Sequence, residues 1–558
     1  MAGTVVDAVM ATAAGATTGV NTGTPRTGGN LTVGVGSDVA NITGFCGALG
    51  KLDTAGFCVA NAVYDPLFVS KSLPDGTATW SPMLALSATP DSKYLNWTIT
   101  LRQGVKFHDG TDFTADDVVG NFTAAYNNAT VGAAIKPLIK SCVKVSNYVV
   151  KYTMVNPWTT FPLHLSEQQI AYMAAPSTLA GGTPVGTGPF TYRNWTYNQQ
   201  SNWDKNTNYW RKDAAGRSLP YLGSITFKVL VDPQGRYTDL KNGSIDMMVN
   251  TDGTVIADMR SHGSGNIGNH DATFVDDQGA ARDPSNNLLI CNTTGKNFVG
   301  QAGAVNSSGQ WDTSLKSVIA DPNIRLACAY AINRPALFSA LDNGVGSISD
   351  GVYRPSSKYY PKGGSGYPAF NQTKAKAAVA AWKKKNPGKT PSFVIDTVSG
   401  SAYQDTAFGL IQGMLSAVGI TVTQRKQNQD ALINAKIFKT YDCSTWSQFG
   451  GLDPSLNAVW FWAGGFVNFS NLNDKAVQTA MLDAMKSPAG STAQKTDWAK
   501  VDTLFAKDLP YLWLDITVTS WAANNNVQNW AYATDANNSP CFNPDGGSTF
   551  WSQIWVTA

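Results

Sequence analysis

The 558-residue sequence predicts an α/β chain with mixed sheets and at least two lobes, on three observations. Length comes first, because one hydrophobic core stops growing well before this size and two or three domains are expected. Second, period-two strand segments and helical segments alternate along the whole chain. Third, 392–424 reads as a strand–helix–strand unit. Phe393 to Val398 is strand-like, Thr406 to Val418 is a helix buried through Ala407, Leu410, Ile411, Met414 and Val418, and Ile420 to Thr423 resumes a strand after the Gly419 stop. That order implies a parallel pair joined by a right-handed crossover.

The other elements follow in chain order. Residues 1–29 are mostly Ala, Gly, Thr and Val and lack a charged stretch followed by an apolar one, so they read as a flexible tether without an intact signal peptide. Leu31, Val33 and Val35 alternate with Thr32 and Gly34 as a strand. Trp97, Ile99 and Leu101 form a one-sided strand that runs to Gly104 and an Asp109-Gly110 turn. Thr114-Ala-Asp-Asp117 opens a helix like a capping box, and Val118, Phe122 and Tyr126 share one helical face. Val143 to Tyr152 suggests a hairpin about Ser146-Asn147. Ile225, Phe227 and Val229 mark a strand, and a helix from Gln234 to Lys241 ends at Asn242-Gly243. Asp321-Pro322 is a helix start, with proline at the first helical position.

Composition narrows function. The 42 basic and 39 acidic residues nearly cancel, with no basic cluster to track a phosphate backbone, so nucleic acid is not the expected partner. No run of about 18 apolar residues occurs, so no membrane span is expected. Seven cysteines without C-x-x-C spacing and four scattered histidines do not make a structural zinc site, and no metal or cofactor is expected. An odd cysteine count leaves at least one thiol unpaired. Cys46 with Cys58, and Cys291 with Cys443, are the two plausible disulfides, and Cys328 reads as a buried helical thiol.

Motifs for catalysis are weak. Gly263 to Gly268, after His262, matches G-x-G-x-x-G but lacks the flanking strand and helix, so a surface loop is the plainer reading. Gly34-Val35-Gly36 follows a strand, but Val39 occupies the third small position. His108 beside Asp109 is better read as a hydrogen-bonded turn histidine than as an acid–base pair, and His164 as a packed one. With no catalytic constellation, the chain is not expected to be an enzyme.

Aromatic residues are the unusual feature: seventeen tryptophans, several of them late in the chain. Trp513, between Leu512 and Leu514, reads as core. Trp446, Trp460, Phe461, Trp462, Phe466 and Phe469 lie instead in a segment rich in Ser, Gln, Asn and Gly. Aromatic faces beside neutral amides and hydroxyls suit sugar rings or apolar peptide side chains.

An ordered set of segments is similar to the family 5 solute-binding proteins of bacterial ABC importers, the oligopeptide-, dipeptide- and nickel-binding class. The set begins with Tyr64-Asp-Pro-Leu67 and Trp80-Ser-Pro-Met-Leu-Ala85, followed by Leu101 to Gly110 with Phe113 to Val118. It continues through Gly186-Thr-Gly-Pro-Phe190, Asn206 to Trp210 and Leu240 to Asp246. Asn323 to Ala327 with Ala331 to Arg334, Tyr441-Asp442, Asp453-Pro454 and Leu509-Pro-Tyr511 complete it. The resemblance implies a two-lobed periplasmic-binding-protein-like fold of the large cluster, with an extra inserted subdomain and a hinge between lobes. Lobe I would comprise 30–62, 184–283 and 519–558, the inserted subdomain 63–183, and lobe II 284–518.

The resemblance also implies an extracytoplasmic monomer, tethered to the cell surface or periplasmic, that captures a solute between closing lobes and presents it to ABC permease subunits. The candidate ligand-binding residues are Ser37, Asp38, Asn41, Gln429, Thr445, Trp446, Ser447, Gln448, Phe449, Asn468 and Phe469. One departure bears on the ligand. Where peptide-binding relatives carry an amine-pairing aspartate three residues after the tryptophan, this chain has Phe449. A buried unpaired ammonium is costly, so a free peptide amine is disfavoured unless Asp453 or Asp430 substitutes. An oligopeptide or other neutral oligomer is the expected solute and an oligosaccharide the alternative, ahead of a secreted hydrolase or lectin.

Overall fold

The computed structural model describes residues 23–39, 42, 54–72, 78–128, 131–167, 169–261, 272–276, 286–293, 317–448, 451, 453–465, 467–516, 518–542 and 549–557. Most of the 1–29 tether and the 263–268 glycine loop therefore lie outside the described residues. The chain divides into two compact units. One spans Met1–Arg282, Gly451–Leu456 and Val518–Ala558, the other Asp283–Gly450 and Asn457–Thr517.

The first unit is organised by a seven-stranded mixed sheet. Its central strand, Asn30–Val35, pairs in parallel with both Ser224–Val229 and Met247–Asn250. Antiparallel strands extend it on each side: Gln200–Lys205 and Phe190–Thr196 on one, Ser520–Asn524 and Ala272–Asp276 on the other. Every residue of Met247–Asn250 is buried, as a strand covered on both faces requires. A second, four-stranded antiparallel sheet contains Ala85–Pro90, Asn96–Leu101, Val149–Met154 and Ile139–Ser146. The hairpin expected about Ser146-Asn147 joins the last two.

The expected helix start at Thr114 is a capping box: Asp117 closes back onto the Thr114 backbone N–H at 2.8 Å. The helix Pro233–Lys241 ends at Asn242, followed by Gly243 at φ 78°.

The second unit carries a six-stranded mixed sheet in the order Ser347–Ile348, Tyr511–Ile516, Asn286–Cys291, Cys443–Gln448, Ser392–Val398, Thr421–Gln427. Ser392–Val398 runs parallel to both its neighbours, so the strand–helix–strand reading of 392–424 holds. The helix is Ala402–Ser416, starting four residues earlier than its hydrophobic pattern suggests because Ser401 Oγ caps the Gln404 N–H at 3.3 Å. Gly419 follows at φ 85°. The expected helix start at Asp321-Pro322 is present, with the Asp321 carboxylate capping Asn323 N–H.

The family-like segments of the first unit meet in its interior. Asp65, fully desolvated, accepts hydrogen bonds from Thr187 Oγ1 at 3.0 Å, Tyr209 Oη at 2.9 Å and Trp210 Nε1 at 2.8 Å. Burial raises its carboxyl above the ordinary range, opposed by the Trp210 bond and by Arg211. Gly186 and Gly188 pass so close to Val63 that a Cβ would lie 2.1 Å from its carbonyl oxygen and 2.5 Å from its carbonyl carbon, respectively. Only glycine fits there. In the second unit, Arg325 donates to the carbonyls of Ile319, Ala320 and Asp508, and Arg334 to those of Ser349 and Pro368.

Candidate functional site

Trp446 sits on the strand Cys443–Gln448, hydrogen-bonded to Asn286–Cys291 on one side and Ser392–Val398 on the other. Strand alternation puts Ser444, Trp446 and Gln448 on one face and Thr445 and Ser447 on the other. Trp446 is half-buried in an aromatic triad: Phe469 packs edge-on at 5.4 Å and Trp460 lies tilted at 6.2 Å. Trp460 and Phe469 themselves meet at 5.6 Å. Phe469 is buried, and its carbonyl accepts the Tyr441 hydroxyl. Of the aromatics singled out in the sequence, Trp446, Trp460 and Phe469 form this cluster, Phe461 packs instead against Phe505 and Tyr511, and Phe466 lies outside the described residues.

Two lysines support this cluster, and the sequence reading missed both. Lys436, on the helix Gln429–Ile437, is fully buried with Nζ 4.9 Å from the Trp446 ring centroid. Burial pushes its ammonium down to about 7, opposed by Asp396. Both Asp396 oxygens are held at 2.7 Å by Arg425. Lys439 Nζ lies 5.5 Å from the Phe469 ring and donates to the Asn468 carbonyl at 2.5 Å; burial pushes it, too, down to about 7. No sequence signal marks them, because lysine is among the residues least often buried.

The remaining candidates separate by environment. Thr445 is half-buried and donates to Gln404 Oε1 at 2.8 Å, and Ser447 is exposed. Gln448 is buried, and its Nε2 has no hydrogen-bond partner among the described residues. The Asn468 amide is saturated: it donates to the carbonyls of Trp462 and Leu472 and accepts from Ser470 Oγ. It holds its own turn. In the first unit, the Asp38 carboxylate accepts from Trp195 Nε1, from Asn198 N–H at 2.7 Å and from Val39 N–H at 2.8 Å, while Ser37 is half-buried. Asn41 and Phe449 lie outside the described residues, as do the side chains of Gln429 and Asp430. Asp453 is buried and accepts from Thr160 Oγ1 at 3.2 Å and Ser455 N–H at 2.9 Å.

The other sequence candidates resolve as structure. His108 places Nε2 3.0 Å from the Gly188 carbonyl, and its Nδ1 accepts from Gly186 N–H at 3.3 Å. Burial lowers its pKa to about 4, so the ring is neutral and pins the glycine segment. His164 is buried against Trp158, with ring centroids 5.1 Å apart and its pKa lowered to about 3 by burial. Trp513, Trp521 and Trp530 are core. Cys291 and Cys443 face each other as buried thiols with sulfurs 3.4 Å apart, and Cys328 is buried in Pro322–Ala331. Cys46, the suggested mate of Cys58, lies outside the described residues.

The sequence profile of bacterial extracellular solute-binding proteins, family 5 (Middle), matches residues 79–470. The oligopeptide-binding protein AppA of Bacillus subtilis is 24% identical over 549 residues, covering 91% of this chain and 90% of the relative. The nickel-binding periplasmic protein of Escherichia coli is 26% identical over 307 residues, about half of each protein (53% and 51%). Among solved structures, the periplasmic binding protein DppA from Helicobacter pylori, in complex with the peptide STSA, superposes with a TM-score of 0.75 at 19% identity, covering 96% of this chain and 99% of that one. The binding protein AgaA from A. tumefaciens R10, in complex with agropinic acid, gives 0.77 at 19% identity, covering 95% and 99%. The chain belongs to the family 5 bacterial extracellular solute-binding proteins: it is a non-catalytic, extracytoplasmic receptor that delivers a solute to the permease subunits of an ABC importer.

Proposed function

We propose that the solute is a peptide-like or other neutral oligomer whose terminal unit packs against Trp446 without presenting a free ammonium there. The observation that carries this is Lys436. A buried amine stands 4.9 Å behind the Trp446 ring, and the nearby Asp396 carboxylate is already occupied by Arg425. A ligand ammonium at the same ring would meet a like charge whenever Lys436, held near 7, is protonated, and would further disfavour that proton in a poorly solvated setting. Asp453, one suggested replacement acid, is turned to Thr160 and Ser455. Relatives with this fold carry ligands as different as the peptide STSA and agropinic acid, so the scaffold alone does not choose.

The aromatic triad on the same strand face as the Gln448 amide, which has no partner among the described residues, favours a second reading, an oligosaccharide, in which rings stack and hydroxyls take the amide. We assign lobe I to 30–62, 184–283 and 519–558, the inserted subdomain to 63–183, and lobe II to 284–518. Supporting this, the seven-stranded, four-stranded and six-stranded sheets draw their strands from those three sets, while Gly451–Leu456 groups with the first unit rather than with the rest of 284–518. A thermal-shift panel tests the ligand class: di- to pentapeptides with free and acetylated amino termini, against cello-, xylo- and manno-oligosaccharides. Stabilisation by acetylated peptides or by a sugar supports a neutral ligand; stabilisation by free-amine peptides alone refutes it.

A further inference from the structure

We infer that Cys291 and Cys443 form a cross-strand disulfide in the mature protein, fastening the Trp446 strand to its neighbour. The two residues are direct register partners in the antiparallel pairing of Asn286–Cys291 with Cys443–Gln448. The hydrogen bonds around them define the kind of pair. Asn292 N–H donates to the Asp442 carbonyl at 2.9 Å, one residue beyond the pair, while Cys291 N–H turns the other way, to Pro510 O, also at 2.9 Å. Cys291 and Cys443 therefore occupy a non-hydrogen-bonded site, where opposed Cα atoms approach to about 4.5 Å and side chains stand closest. That separation is inside the range a disulfide spans. The sulfurs are already 3.4 Å apart, so small side-chain rotations complete the approach.

The chemistry balances through thiol–disulfide exchange with a disulfide oxidant. One cysteine thiolate attacks the oxidant, forming a mixed disulfide and expelling one oxidant thiolate. The second cysteine, as thiolate, attacks the protein sulfur of that mixed disulfide, expelling the other. The two cysteines lose two protons and two electrons, and the oxidant leaves as dithiol. Both sulfurs are fully buried in the folded unit, so exchange precedes final packing. Extracytoplasmic compartments supply such oxidants. Cys328, whose thiol is pushed up first by burial and then by the nearby Cys291, sits on a helix rather than opposite on the sheet.

The bond would link residues 152 positions apart and hold the register of the strand that presents Trp446 and Gln448. A one-residue slip there would exchange the two faces of that strand.

The test uses the full chain refolded with oxidised glutathione, digested without reduction and mapped by mass spectrometry. The expected product is a Cys291–Cys443 linked peptide with the mass lower by two hydrogens. Reduction is expected to lower Tm by about 5–10 °C, and that difference shrinks in the Cys291→Val/Cys443→Ala double variant. Recovery of both sulfurs as alkylated thiols from unreduced, denatured protein overturns the proposal, as does a linkage of either to Cys328.

Discussion

Replacing Lys436 by methionine is expected to stabilise the protein at low pH and to lose that advantage as pH rises. Lys436 is fully buried, and burial lowers its pKa from 10.5 to about 7, against the opposing pull of Asp396. Below pH 7 the amine is protonated both folded and unfolded, and the whole penalty of burying the charge is present. Between pH 7 and 10.5 the unfolded chain binds the extra proton, so stability rises with pH. At about 1.4 kcal/mol per pKa unit, the penalty is on the order of 5 kcal/mol at pH 6 and falls to about 2 kcal/mol at pH 9. Methionine keeps an unbranched, polarisable chain against the indole and removes the titrating amine. The net expectation is a gain on the order of 5 kcal/mol at pH 6 that shrinks to about 2 kcal/mol at pH 9. Guanidinium unfolding of wild type and Lys436→Met across that range measures it, and the difference between the two chains cancels groups they share. A pH-independent difference, or a loss of stability at pH 6, refutes the reasoning.

Other outcomes follow from the same structure. Gly188→Ala forces a Cβ to within 2.5 Å of the Val63 backbone and is expected to lower stability by more than about 3 kcal/mol, read by chemical denaturation. Asp65→Ala strips the shared acceptor from Thr187, Tyr209 and Trp210 and is expected to destabilise by about 3 kcal/mol, again by denaturation, while solute affinity of the folded fraction is unchanged. Asp515 is raised to about 8, chiefly by burial and also by Asp342. An acid with a raised folded pKa contributes stability that is fully present below about pH 4 and lost as pH climbs through about 8. Asp515→Asn is therefore expected to flatten the stability curve between pH 5 and 8; an unchanged slope refutes the assignment.

The legible parts of the sequence were those written in local chemistry. Thr114 with Asp117, Asp321 with Pro322, and Gly243 and Gly419 after their helices fix element ends through neighbouring residues, and the structure places those ends where the residues predict. The helix over Ala402–Ser416 was read short because its cap, Ser401 with Gln404, precedes the apolar face used to find it. The family-like segments identified the chain, yet their side chains serve the scaffold. Asp65, Thr187, Tyr209 and Trp210 satisfy one another far from each other in sequence, and no spacing rule anticipates that closure.

At the candidate site, Trp446 and Phe469 were visible as aromatics among amides, and they do meet. Asn468 looked equivalent in sequence but spends its amide on backbone carbonyls. The lysines behind the rings were invisible because their burial depends on which helix face packs on which strand.

The central claim is that the Trp446 face reads the solute, and calorimetric titration of wild type and Trp446→Ala with the best stabiliser from the ligand panel tests it most directly. The account predicts one solute per chain, with affinity for the variant weaker by at least about 30-fold, as loss of a roughly 2 kcal/mol aromatic contact requires, while the variant remains folded at the titration temperature. Equal affinity in the two proteins would contradict it and return Trp446 to the core.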